Sequence, residues 1–233
     1  MTTLADFPIT KRWPAANSEV IQLYSFATPN GIKASVALEE SGLPYEAHLV
    51  NIMTGETTSE PFLSLNPNNK IPAIIDPNGP NGDPIGLWES GAILLYLAQK
   101  SGKMMPSDPV AAQHARQWLM WQMGGLGPMA GQLGFFYKFA GKEIEDQRPV
   151  ERYIDETKRL LKVLDGALEG QDWIAGEFSV ADIAIAPWLG TIVTFYEAGP
   201  AVGWDDLKNV PAYVDRFMAR PSAQKGVNIP PRP

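Results

Sequence analysis

A chain with no Cys and only two His residues, His48 and His114, has few routes to covalent or metal chemistry. Disulfides, a Cys nucleophile and thiolate metal ligands are excluded, and two His residues far apart give no basis for a metal cluster. Any thiol chemistry must come from a ligand. What the chain offers is a corner, "FATPNG" at 26–31, where a Thr hydroxyl, an Asn amide and the first N–H groups of a helix are available to donate toward an anion. The helix dipole adds a field of the same sign. A second anion-attracting place is Glu89-Ser90, where unpaired N–H groups open another helical run. Between the two, Pro72 follows Ile71 where a strand should begin.

These residues need elements to hold them. "VIQLYS" (20–25) and "YEAHLV" (45–50) are short runs of strand formers flanking a helical segment that stops at Gly42, a βαβ unit. "IPAIID" (71–76) and "PIGLWE" (84–89) are joined by "PNGPNGD", whose Asn-Gly pairs favour a reversal between antiparallel strands. A helix follows in "ESGAILLYLAQKSG", with Ser90 as a possible cap and Ile93, Leu94 and Leu97 as its apolar stripe. After "PSDP" (106–109) the chain reads as helices. The clearest contains Tyr153, Leu160, Leu161, Leu164 and Leu168 on one side. Another begins with Ser179 three residues before Asp182, a capping-box spacing, and is apolar all round, hence buried. The expected division is an N-terminal extension (1–18) lying along the surface or wrapping a partner, an α/β domain (19–104) and an all-α domain (105–233).

Composition bounds the partners. With 45% hydrophobic residues, 10% aromatics and 7 Trp in 233 residues, a packed core is expected. A formal charge of −7 points away from nucleic acid and anionic membranes, and no apolar run is long enough for a span or signal peptide, so a cytoplasmic protein is expected.

A βαβ unit followed by ββα is the thioredoxin plan. Over about residues 20–225, through "NNKIPAIID", "WESGAILLYLA" and "SVADIAIAPW", the chain resembles the cytosolic glutathione transferases. "TPNG", "FLSLNPNNKIPAI" and "WLMWQMGGLGPMAGQ" are similar, more narrowly, to the nu-class bacterial enzymes, relatives of the yeast nitrogen-regulating prion protein. The resemblance implies the glutathione transferase fold, a thioredoxin-like domain followed by an all-helical one, in a two-fold homodimer. It implies glutathione as cosubstrate, no metal, and reduction of a small disulfide by bound glutathione thiolate, with one oxidised glutathione or two tripeptides per cleft. Conjugation to an electrophile, or a non-enzymatic glutathione-binding regulator, are the alternatives.

Residue by residue, the resemblance makes Pro72 cis and gives the Ile71 main chain to the glutathione backbone. It gives the γ-glutamyl carboxylate to Ser90, the γ-glutamyl ammonium to Glu89, the glycyl carboxylate to Lys70 and a further glutathione carboxylate to Arg152. Thr28 and Asn30 then face the sulfur, lowering a thiol pKa that is ordinarily about 8.5 without any proton-abstracting side chain. Plainer structural roles stand beside each: Thr28, Asn30 and Ser90 as helix caps, Pro72 as a trans strand opener, Lys70 as a solvated charge, Arg152 paired to Asp155 or Glu156. Tyr24, and more weakly Ser25, compete for the thiol. In "GGLGPMAG" the run of Gly and Pro is either a bend that admits substrate or a turn between helices, and Gln132, Phe136 and Tyr137 beyond it are candidates for the second-substrate side.

Overall fold

In the computed structural model, which describes residues 3–231, strand formers at Ile21–Ser25 make β1, all five residues buried. Helix α1 (Pro29–Ser41) follows, with Thr28 at its N-cap, Pro29 in its first turn and Gly42 closing it at φ 72°. Strand β2 (Tyr45–Leu49) returns parallel to β1, with Tyr24 opposite His48. A one-turn helix α2 (Glu60–Leu63) precedes β3 (Ala73–Asp76) and β4 (Ile85–Trp88), an antiparallel pair, and α3 (Ser90–Ser101) completes the run. The sheet order is β2-β1-β3-β4 with β3 antiparallel to β1. This is the βαβ-ββα arrangement expected from the sequence.

Side chains alternate across β1. Tyr24 points to the face filled by Val50, Phe62, Leu65 and Ile75, and it is this face that the first residues of the chain cover. Leu4 and Ile9 are buried there, and Trp13 donates from Nε1 to the Leu49 carbonyl at 2.9 Å. The opening segment, expected on the surface or around a partner, is therefore a packed part of this unit. Its two turns are 3-10, Leu4–Asp6 and Pro8–Lys11, so its buried positions follow neither the 3.6 nor the 2.0 period.

The chain forms two compact units, one running up to Lys103 and joined by the stretch from Pro221, the other Met104–Arg220. The second unit holds α4 (Pro109–Trp121), α5 (Gly127–Tyr137), α6 (Arg148–Ala167), α7 (Val180–Gly190), α8 (Gly199–Val202) and α9 (Val210–Met218). "GGLGPMAG" is neither a loop nor a turn: Gln122–Leu126 is π-helical, and Leu126 and Gly127 keep right-handed helical dihedrals into α5. A π turn absorbs the N–H missing at Pro128 without breaking the helix. Helix α7 is buried over Val180–Leu189 and starts in a capping box. Asp182 accepts from the Ser179 N–H (2.8 Å), the Ser179 hydroxyl (3.1 Å), the Ile174 N–H (3.1 Å) and the Tyr213 hydroxyl (3.0 Å).

The last helix, α10 (Pro221–Gly226), packs on α1 in the first unit. The Ser35 hydroxyl donates to the Gly226 carbonyl at 2.6 Å, and a Cβ on Gly226 would stand 2.7–2.8 Å from Val36 atoms, so only glycine permits this approach.

Candidate active site

The corner between β1 and α1 is tightly wound. Thr28 Oγ1 accepts from the Gly31 N–H at 3.4 Å, and the Thr28 N–H donates to the Phe26 carbonyl at 2.7 Å. Gly31 has no room for a side chain: a Cβ would lie 1.9 Å from the Phe26 oxygen and 2.6 Å from Ser25 Oγ. The winding leaves Thr28, Pro29 and Asn30 half-buried on the first turn. Since Thr28 uses its oxygen lone pair in the cap, its hydroxyl hydrogen is not committed by that bond, so capping and donation to an anion coexist at one residue.

The two competing hydroxyls are sealed. Tyr24 is fully buried, stacked on His48 with ring centres 4.8 Å apart, and its hydroxyl has no hydrogen-bond partner among the described residues. Burial, and then the Glu46 charge, push its pKa up. This hydroxyl lies on the sheet face opposite α1, closed to solvent. Ser25 points toward α1 but is likewise fully buried.

The second part of the site lies at α3. Ser90 is the first residue of the helix, 4% exposed; the cap position belongs to Glu89, exposed and held at φ 70°. The N-cap position expected at Ser90 thus falls one residue earlier. A non-glycine residue in this region costs of order 1–3 kcal/mol and is a mark of functional sites. It leaves the Glu89 carboxylate outside, at the positive end of the α3 dipole. Ahead of β3, Asn66 shapes the loop: its Nδ2 donates to the Lys70 carbonyl at 2.5 Å and its Oδ1 accepts from the Asn68 N–H at 2.9 Å. Lys70 is exposed, the Ile71-Pro72 bond is cis, and Ile71 stands outside the ladder with no main-chain hydrogen bond among the described residues.

Lys33 is the residue that the sequence reading passed over. It is 1% exposed, and its Nζ donates to Ser90 Oγ at 3.4 Å. Burial lowers its pKa to about 7, against a smaller upward pull from Glu89. The available signal was its register: Lys33, Val36, Ala37 and Ser41 follow the i, i+3, i+4, i+8 spacing of a buried stripe.

In the helical unit, Gln132 is exposed on α5 and Phe136 and Tyr137 are half-buried, Phe136 stacking on Tyr153 at 5.4 Å. Arg152 is exposed on α6. The Glu156 carboxylate is bonded by Arg159 at 2.7 and 2.8 Å and also lies in the field of the Arg152 charge.

Comparison with known proteins shows the family of the chain. Residues 19–99 match the model of the glutathione S-transferase N-terminal domain, and residues 128–221 that of the C-terminal domain. The disulfide-bond oxidoreductase YfcG of Escherichia coli is 45% identical over 172 residues, covering 73% of this chain and 79% of YfcG. The chain belongs to the glutathione S-transferase family. Two crystal structures superpose on nearly all of this transferase. One, from Pseudomonas putida (TM-score 0.97, 55% identity, 98% of this chain and 100% of that one), holds one glutathione disulfide per subunit. The other, from Burkholderia graminis (TM-score 0.97, 57% identity, 100% and 98%), holds two glutathione molecules per subunit. No helix among the described residues of the transferase is long and apolar enough to cross a membrane.

Proposed function

We propose that this transferase is a nu-class glutathione-dependent disulfide reductase of the cytoplasm. Glutathione lies along the first unit, its peptide backbone pairing with the Ile71 main chain as an added strand. Its γ-glutamyl carboxylate meets Ser90 and the α3 N-terminus, its ammonium meets Glu89, and Lys70 takes the glycyl carboxylate. The thiolate is stabilised by Thr28, Asn30 and the first-turn amides of α1, where no ionisable side chain is required.

The thiolate attacks one sulfur of a disulfide, forming a glutathione mixed disulfide and expelling the other sulfur as thiolate, which takes up a proton. A second glutathione thiolate attacks the mixed disulfide, leaving oxidised glutathione and the second reduced thiol. The observation that carries this reading is that relatives more than half identical hold two glutathione molecules or one glutathione disulfide per subunit, the species that the two steps together consume and produce.

Side-by-side assays at saturating glutathione test it. Reduction of a small dialkyl disulfide should far exceed conjugation of a chlorinated nitrobenzene, and equal or faster conjugation would make the protein a conjugating transferase. The reading also includes a two-fold homodimer, so light scattering at micromolar concentration should give about twice the 25.5 kDa of one chain. A single-chain mass would remove the dimer.

A further inference from the structure

Among the charged side chains of the first unit, Lys33 stands apart. It sits one turn into α1, almost without solvent, with its Nζ on Ser90 Oγ, the first side chain of α3. The charges on the elements around it are engaged elsewhere. On α1, Glu39 is bonded by Lys225 of α10 at 2.8 Å and by the Tyr45 hydroxyl, and Glu40 by the Ser222 hydroxyl at 2.5 Å. Lys100 of α3 holds Asp76 of β3 at 2.7 Å, and Lys103 reaches the Glu40 carbonyl at 3.5 Å. The Glu89 charge, by contrast, acts on Lys33 and favours its protonated form.

A buried ammonium is costly unless an anion compensates it, and lysine answers burial by losing its proton. Burial here brings the Lys33 pKa down to about 7, so at mildly alkaline pH the amine is mostly neutral when no ligand is present. Glu89 is exposed and compensates only in part. A carboxylate docked at Ser90 adds a second negative charge within reach of Nζ, in surroundings where water screens little. Protonation of the amine then becomes favourable, and the proton comes from solvent.

We propose that Lys33 is a positioning residue of the γ-glutamyl pocket, acting through Ser90: its amine takes up a proton as the ligand carboxylate docks, so that anion and proton arrive together. This rests on the reading that Ser90 and the start of α3 receive that carboxylate. It gives the pocket a selectivity that an exposed ammonium lacks, because a ligand without an anion at that point leaves the amine neutral.

Titration calorimetry with S-methylglutathione tests it, since the blocked thiol releases no proton. Binding enthalpies in buffers of different ionisation enthalpy give the protons taken up. At pH 8, wild type should take up more than Lys33→Met, by an amount approaching one proton; at pH 5.5, with the free amine already charged, the difference should vanish. The ligand's own amine contributes equally to both proteins and cancels. Affinity at pH 8 should fall about ten- to a hundredfold in Lys33→Met, the usual cost of losing a charged hydrogen bond. Lys33→Arg, charged at every pH, should retain much of the affinity while taking up no extra proton, which a purely structural lysine would not predict. If Lys33→Met does not fold, Lys33→Arg supplies the comparison. Equal uptake by wild type and both variants would overturn the proposal and leave the glutathione site standing. Failure of wild type to bind S-methylglutathione would overturn the site and the proposal together.

Discussion

Asp182→Ala is expected to cost about 3–5 kcal/mol of folding stability, a large share of the roughly 5–15 kcal/mol that holds a typical domain together. The carboxylate is fully buried and accepts from two main-chain N–H groups and two hydroxyls, those of Ser179 and Tyr213. Alanine would leave these donors buried without an acceptor, at about 1–3 kcal/mol each before relaxation. Asp182→Asn keeps one acceptor oxygen and should cost less. Urea midpoints of the three proteins check the order; alanine as stable as asparagine would show that the network contributes little.

The pH dependence provides a second reading of the same residue. Burial, opposed by the four donors, pushes the Asp182 pKa up to about 6. The folded protein therefore binds this proton more tightly than the unfolded chain, and the stabilising contribution is full below the ordinary carboxylate range and declines as pH rises from about 4 to 6. Carboxylates held below their usual range, such as Asp165 among the N–H groups of Lys208, Asn209 and Val210, act with the opposite sign. The comparison with Asp182→Asn isolates the term: wild type should lose stability relative to the variant across that window and nowhere else.

Thr28→Ala is expected to lower turnover about ten- to a hundredfold while weakening glutathione binding much less, with Asn30→Ala acting in the same direction. Loss of one donor to a resident anion costs about 1.5–3 kcal/mol if no water replaces it. The pKa of bound glutathione, followed by thiolate absorbance, should rise with the loss. Thr28 also accepts from Gly31 N–H, so part of the Thr28→Ala effect is a lost cap, worth about 1 kcal/mol of stability. Thr28→Ser keeps both functions and should stay near wild type. Tyr24→Phe removes a buried hydroxyl that has no partner among the described residues and should leave the thiol unaffected. If Tyr24→Phe alone raised the thiol pKa and both corner variants left it unchanged, the tyrosine would be the activating group and Thr28 merely a cap.

What could be read in the sequence followed from periodicity and punctuation. The strands around Leu23 and Ile74 were legible as short runs of strand formers, and helix α1 through its Gly42 stop. The Ser179–Asp182 box was legible because both partners lie within one turn. The features that escaped depend on through-space neighbours. Which face Tyr24 takes is fixed by the lead segment packed over it, and Leu4 and Ile9 carry no period to announce that packing. Ser90 looks like a cap until Glu89 adopts a left-handed φ and takes the position. Lys33 meets Ser90 from 57 residues away. Glycines and a proline suggested a break where a π turn keeps the helix running, because dipeptide signals report what weakens a helix rather than what compensates.

The return of α10 to α1 bears on how the protein is made. The residues bracketing Lys33 and the corner between β1 and α1 are synthesised early, yet Ser35 and Val36 receive their partner only when Gly226 has left the ribosome. Until then the helix that carries Thr28 and Asn30 has an uncovered flank, and the second unit, Met104–Arg220, is already complete in sequence. Vectorial synthesis thus reverses the order in which the two units can finish folding: the one begun first is closed last.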